Sequence, residues 1–491
     1  MTQHNTLRAR LPASWRTQVL LGAGFALIVL AVIPPGNVSS DGASMLAVMR
    51  SLATHGSVSV PCAAGIAGRG GRCFSTYYPL NSFLGVPFFA VGEALGHAAN
   101  VSTTFVGNAM AQMLPALSAA VTATLTVTLT RRFGATPMQS VLAGLTIVFG
   151  TEMAVLERTF FAEALLTALI SLQVWCFYGP TLSRFAIPII LALTILAKPQ
   201  AFLVGPLLAL EVARRARSWK PIVLAAVGTA SGAVIYGAYD YLRFSSVTDL
   251  GGPTRTLHSS ALTPIHLVKA LGLLTISPGR GFFVFSPICV LGLVVCVQRR
   301  REPLARAALI ILSALLLVYV GNPGSGFNWA SRYLAPALPL FVAAAWSTRT
   351  RILACALSLM GVLIQFPTFV GFYQRYYLEN ASHGILPVQR YWSVLHGPLL
   401  GVWGVVAREA TDARTVNLRE LVMSNTGGAG VADQRFFHVV SEWWWMLPAA
   451  HIPRLLGVAV SIAAAVAGFS ALIAWARRQR GEAATPGRAV A

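Results

Sequence analysis

The stretch "TQVLLGAGFALIVLAVIP", residues 17–34, decides the fold class. It carries no charge, and a helix needs about 20 apolar residues to cross a hydrocarbon core of about 30 Å. A cleaved signal peptide has a shorter apolar core that ends at a small-residue site. This run is full length and continues into "PGNVSSDG", residues 35–42, so it reads as a retained first span. Comparable runs near 104–129, 138–150, 162–178, 185–197, 201–212, 221–239, 282–298, 303–320, 335–347, 352–370 and 453–475 predict further spans. A last apolar segment, 79–97, is assigned to a helix lying along the membrane surface. With 491 residues, 55% hydrophobic and 11% charged, the chain reads as an all-α polytopic membrane protein of about 12 transmembrane helices. Residues 1–475 form one membrane domain, with external excursions at 35–103 and 371–452 and a basic tail at 476–491.

A net charge of +21 suggests a polyanion partner until its distribution is examined. Placing the N terminus inside puts 20 of the 37 Lys and Arg residues, with 3 of the 16 acids, in the short inner loops and termini. The other side holds all the long loops, yet only 17 bases and 13 acids. This is the positive-inside pattern of a plasma-membrane protein with both termini cytoplasmic, and it argues against nucleic acid. Cys62 and Cys73 share the first external loop, where they are either a disulfide closing a small Gly-rich hairpin or two free thiols. Within that loop, "DGASMLAVMRSLATHG" has helical spacing and a terminal Gly56, and Pro79 suits the start of a second helix.

No phosphate-binding Gly loop, dinucleotide fingerprint, H-E-x-x-H or paired Cys-x-x-Cys pattern occurs, nor any Asp-x-Asp clamp. A nucleotide-dependent enzyme of the soluble type is therefore excluded. Charged residues instead gather at external span ends: Glu152, Glu157, Arg158 and Glu163, then Lys198, Asp240, Arg243, Arg280 and Arg332. Ionisable groups near membrane depth are costly and tend to be paired or functional. Several cations on one face suit a phosphate held at the membrane surface.

The strings "STYYPLNSFLGVPFFAVG", "ERTFFAEALLTAL", "ILAKPQAFLVGPLL", "YDYLRFSSVTDLGG", "SPGRGFFVFSP", "WASRYLAPALPLF" and "EWWWMLP", with an aspartate just after the first span, resemble the bacterial GT-C glycosyltransferases. The resemblance runs from about 17 to 475 and is to relatives of protein mannosyltransferases and lipid A aminoarabinose transferases. It implies a GT-C-like bundle that moves a sugar from a polyprenyl-phosphate carrier to a lipid, glycan or protein acceptor on the outer face of the inner membrane. It also implies that the first-loop aspartate, here Asp41, is the catalytic base.

The residues support that role chemically. A phosphate-linked donor has a good leaving group, so one base on the acceptor hydroxyl suffices, with cations stabilising charge on the phosphate. Lys198, Arg280 and Arg332 are the candidate phosphate ligands. Tyr77, Tyr78, Arg158, Glu163 and Tyr333 are candidates for the donor and acceptor pocket, the two former being otherwise interfacial anchors. Many such relatives carry an Asp-Glu pair in the first loop, whereas Gly42 follows Asp41 here, so no cofactor or metal is expected and a divalent cation is not favoured. Asp41 also fits an ordinary helix cap, a role that Ser39 or Ser40 fills equally well. His383, His396, His438 and His451 lack metal-ligand spacing, and Trp443–Trp445 are expected to mark the membrane boundary. A glycan ligase or polymerase is the nearer rival reading, and a transporter, for which no internal repeat is found, the more distant one.

Overall fold

Apolar helix after apolar helix, broken at proline and glycine, is what the sequence yields in three dimensions. The computed structural model describes residues 15–33, 39–100, 103–179, 185–247, 263–321, 329–348, 350–370, 373–411 and 454–484. Among the described residues, four helical stretches are long and apolar enough by themselves to cross a membrane: Val106–Arg132, Lys220–Phe244, Arg351–Phe369 and Leu456–Arg480. The other predicted spans are shorter helices. The count of about twelve expected from hydropathy is not reproduced by helix length.

The chain begins with α1 (Trp15–Ala31), then α2 (Ser40–His55) and α3 (Pro79–Ala98) in the first excursion. α4 (Thr103–Ala111) and α5 (Met113–Arg132) make one bent passage through Gln112. α6 (Pro137–Gly150), the short α7 (Met153–Leu156), α8 (Ala162–Tyr178), α9 (Ile187–Ala197), α10 (Val204–Ala216) and α11 (Lys220–Phe244) follow. The predicted span 282–298 is split into α13 (Phe282–Phe285) and α14 (Ile288–Gln298), with Pro287 as the N-cap of the second piece. Its missing N–H and fixed φ make proline a natural place to restart a helix. α15 (Pro303–Tyr319), α16 (Leu338–Trp346), α17 (Arg351–Val370) and the closing α21 (Arg454–Ala484) complete the predicted spans.

Several elements depart from the expected outline. An apolar helix, α12 (Pro264–Thr275), occupies a stretch read as external loop. Its proline start and the spacing of "PIHLVKALGLLT" were the available signal. In the second excursion lie α18 (Tyr373–Ser382), α19 (Pro387–Arg390) and α20 (Pro398–Thr411). Trp443–Trp445, His438, His451 and the end of the basic tail fall outside the described residues. Between α2 and α3 sits a small antiparallel sheet of β1 (Ser59–Val60), β2 (Ile66–Ala67) and β3 (Cys73–Phe74), with β3 central, so the fold is not strictly all-α. Cys62 and Cys73 are disulfide-bonded across this hairpin, their Cα atoms 5.0 Å apart.

α8 is buried on nearly every side, as expected of a helix apolar all round, and α16 is buried at all nine positions. In lipid no hydrophobic effect drives such helices together, so close packing of small residues does. Gly92 of α3 shows this against α4: a Cβ there would lie 2.6 Å from the Gly107 Cα. At one end of the bundle the basic residues converge, Arg215 donating to the Arg301 carbonyl (3.3 Å) and Arg306 to Glu211 (2.8 Å). The opposite end collects the residues singled out by chemistry.

Candidate active site

The site is built from chain segments that end or begin helices at that opposite end. α2 is capped by Ser39, whose hydroxyl accepts from the Gly42 N–H at 3.0 Å, and closed by Gly56 in the left-handed region at φ 63°. Because Ser39 satisfies that donor, the Asp41 carboxylate is left for other partners. Asp41 Oδ1 accepts from the Tyr77 hydroxyl at 2.6 Å, and Oδ2 from the Arg332 guanidinium at 2.6 Å. Burial alone would raise this carboxyl, but the Arg332 charge, the Tyr77 hydrogen bond and more distant Lys198 outweigh it and hold it below the usual carboxylate range. Burial and then the Asp41 charge push the Tyr77 phenol upward, so Tyr77 stays a donor.

Arg332 opens a 3₁₀ turn, Arg332–Ala337, and joins a second acid. Its Nε lies 3.4 Å from Glu163 Oε1, the same oxygen that accepts from Lys198 Nζ at 2.5 Å. Glu163 is fixed in the first turn of α8, and Lys198 caps α9 in extended backbone before Pro199. The result is a continuous chain: Tyr77, Asp41, Arg332, Glu163, Lys198. It is almost dry, with side-chain exposures of 19% for Asp41, 9% for Arg332, 6% for Lys198 and 3% for Glu163.

Tyr333 lies at the centre of the cations. Lys198 Nζ is 4.3 Å from its ring centroid, Arg332 Cζ 5.3 Å and Arg280 Cζ 5.5 Å. Tyr319 stacks on the same ring at 4.5 Å and 6°. Phe161 backs Arg332 at 4.2 Å, and Tyr391 meets Arg280 at 5.7 Å. Counted as ionised, Lys198, Arg280 and Arg332 against Asp41 and Glu163 leave one net positive charge. That matches the single charge of a phosphodiester.

A second buried cluster holds the hairpin in place. Arg243, fully buried at the C-terminal end of α11, donates to the Ser75 carbonyl, to the Tyr77 carbonyl (3.2 Å) and to Asp240. Gly68 of the hairpin approaches so closely that a Cβ would lie 2.4 Å from the Arg243 carbonyl oxygen. On the other side, the Ser44 hydroxyl reaches the Ala64 carbonyl (2.6 Å) and shares a hydrogen bond with Ser75 (2.8 Å). The segment carrying Tyr77 is thereby tied to both α2 and α11.

Of the residues named from sequence, the structure brings together Asp41, Tyr77, Glu163, Lys198, Arg280, Arg332 and Tyr333. Tyr78 stands beside them, its hydroxyl accepting from Gln200 at 2.5 Å. Arg158 does not join: it donates to the Thr368 carbonyl (2.5 Å) and lies 4.9 Å from the Phe369 ring, anchoring the end of α17. The reason is local, since α7 turns the chain between Glu152 and Arg158 before α8 begins. Glu152 is buried facing Arg280, and no side chain hydrogen-bonds to its carboxylate among the described residues. Burial, against the Arg280 charge, pushes it up to about 8, so it stands protonated at neutral pH. Sequence reasoning missed Gln200, Tyr319 and Tyr391. Gln200 was legible in "AKPQ", two residues from Lys198, whereas Tyr319 and Tyr391 carry no local signature. Among the described residues no three His, Cys, Asp or Glu gather as a metal site, and the acids here are separated by Arg332 and Lys198.

Two solved structures are similar to the chain. Both are ArnT from Cupriavidus metallidurans, one in the apo state and one bound to undecaprenyl phosphate, with TM-scores of 0.49 and 0.46. Each is 16% identical over 96% of this chain and 79% of the ArnT chain. No family model and no curated protein matches. Similarity at this level leaves function to be read from the site itself.

Proposed function

We propose that the protein is an integral membrane glycosyltransferase that moves one sugar from a polyprenyl-phosphate carrier to an acceptor hydroxyl on the extracytoplasmic face. The observation that carries this reading is the Asp41 carboxylate, nearly buried, held by Tyr77 and Arg332 and set beside Lys198 and Arg280 around Tyr333. The donor's phosphodiester lies against Lys198, Arg280 and Arg332. The acceptor oxygen attacks the anomeric carbon from the face opposite the phosphate, and its proton passes to Asp41. The bond from the anomeric carbon to the phosphate oxygen breaks, and polyprenyl phosphate leaves with the electron pair, so configuration inverts. The cations stabilise the charge that grows on the leaving phosphate.

Without donor, Arg332 spends its charge on Asp41 and weakens it as a base. A bound phosphate competes for Arg332, which raises the basicity of Asp41 when a donor is present. This couples proton abstraction to donor binding and protects the carboxylate from idle chemistry. The test is incubation of the purified protein with a panel of polyprenyl-phosphate sugars, following release of polyprenyl phosphate. Release with at least one sugar, lost in Asp41→Asn at unchanged folding, is the expected result. Release that survives Asp41→Asn overturns the base assignment, and no release with any carrier overturns the donor class.

A further inference from the structure

Beside the charged network lies a wall with no formal charge, to which the reaction above gives no role. Tyr78, at the end of the disulfide hairpin, accepts from the Gln200 amide at 2.5 Å. That bond occupies a lone pair of the phenol and leaves its O–H able to donate. The Gln200 Oε1 atom is buried and has no hydrogen-bond partner among the described residues. The hydroxyl of Tyr319, a residue only 6% exposed, has none among the described residues either, and it faces Tyr78, Glu163 and Tyr333. Three chain segments far apart in sequence therefore aim polar atoms at one place, immediately beyond Lys198 and Tyr333. Buried polar groups are almost always satisfied, so a ligand that fits here must supply the missing bonds.

The pattern selects the ligand. A phosphate oxygen only accepts, and Gln200 Oε1 would repel it. A polyprenyl chain offers no hydrogen bond at all. An uncharged group carrying several hydroxyls both donates to Gln200 and accepts from Tyr78 and Tyr319. The Tyr319 and Tyr333 rings, stacked on one another, and the Tyr78 and Tyr236 rings, 6.2 Å apart, hold the two phenols in place.

We infer that Tyr78, Gln200 and Tyr319 form the subsite for the hydroxyl groups of the transferred sugar, an uncharged glycosyl unit. This rests on the reading of the protein as a polyprenyl-phosphate-sugar transferase, and it adds where the sugar sits and which side chains choose it. Gln200 is the group most sensitive to hydroxyl configuration, because its Oε1 can only accept, whereas a phenol hydroxyl both donates and accepts.

The test compares affinities of the full-length protein for decaprenyl methyl phosphate, a phosphodiester without a sugar, and for decaprenyl phosphates bearing glucose, mannose, N-acetylglucosamine or arabinofuranose. Wild type is expected to prefer at least one glycosylated carrier over the methyl diester. Tyr78→Phe, Gln200→Leu and Tyr319→Phe should each shrink that preference by about threefold to tenfold, with affinity for the methyl diester unchanged. The Tyr→Phe changes keep ring packing, and thermal midpoints verify folding. Equal loss of affinity for both ligands overturns the subsite, as does a preference that survives all three variants or a wild type without preference. If wild type binds the methyl diester but discriminates nothing, the subsite falls and the phosphate site stands; if it binds no carrier, both fall.

Discussion

At the basic end of the bundle, Glu211 is shared by Arg215 and Arg306, whose side chains are 29% and 33% exposed. At the opposite end, Asp41 and Glu163 are shared by Arg332 and Lys198, whose side chains are 9% and 6% exposed. Glu211, 6% exposed, is nearly as buried as Glu163 at 3%, so the difference in solvent lies in the cations. Exposed pairs contribute roughly 0–1 kcal/mol because water screens them and long side chains must be ordered. A buried charge left without its partner costs about 3–5 kcal/mol. The difference teaches that a charge count alone, identical in kind at both ends, separates a topology signal from a reactive site only once burial is known.

The largest effect that would break this comparison is chemical. Asp41→Asn keeps the shape of the side chain but removes the base and turns one of its two accepting oxygens into a donor, and sugar transfer should fall by about 10³-fold or more, measured as polyprenyl phosphate release. Glu211→Gln at the other end should leave transfer within about twofold. Next comes stability. Lys198→Met leaves Glu163 with Arg332 alone, at 3.4 Å, and should cost about 1–3 kcal/mol in denaturation, and the double variant Lys198→Met with Glu163→Gln should recover most of it while transfer stays lost. The equivalent Arg306→Met change, on a partly exposed pair, should cost under about 1 kcal/mol.

Smaller is the response to pH. Asp41 is held below its ordinary value, so its ion pair contributes stability above 3.8 and loses it as pH falls through the folded-state value. The acid limb of kcat/KM should therefore lie below 3.8, and Tyr77→Phe, which removes a hydrogen bond to the ionised form, should move it upward. A limb that does not move would show that Tyr77 has no part in setting the base. Smallest is backbone relief: Ala330 sits at φ 59°, a left-handed conformation two residues before Arg332. Ala330→Gly should stabilise by up to about 1 kcal/mol at constant activity, read as a small rise in melting temperature.

Much of the helical outline was legible because apolar runs, proline starts and glycine ends are local signals. α12 was not, since His266 and Lys269 within "PIHLVKALGLLT" lower its apolar score while its Ala270, Leu273 and Leu274 face supplies the packing. In the site, Asp41, Lys198, Arg280 and Arg332 stood out as charges at the ends of apolar runs, a rare and therefore informative position. Arg158 shared that signature and sits elsewhere, because hydropathy places a residue at a depth but not at an azimuth around the bundle. Tyr319 and Tyr391 looked like any interfacial aromatic, and only the stacking on Tyr333 and the approach to Arg280 distinguish them.

Arg243 adds a consequence for how the protein is made. The segment bearing Tyr77 is held from the far end of α11, 166 residues on, and Asp41 by Arg332, 291 residues on, so the first acid of the chain waits for a partner synthesised much later. Glu163 and Lys198 are only 35 residues apart and neutralise one another as α8 and α9 enter the bilayer together. The paired geometry of Asp41 therefore exists only once the chain is complete through Arg332, whereas that of Glu163 with Lys198 needs only the segment from α8 to the end of α9.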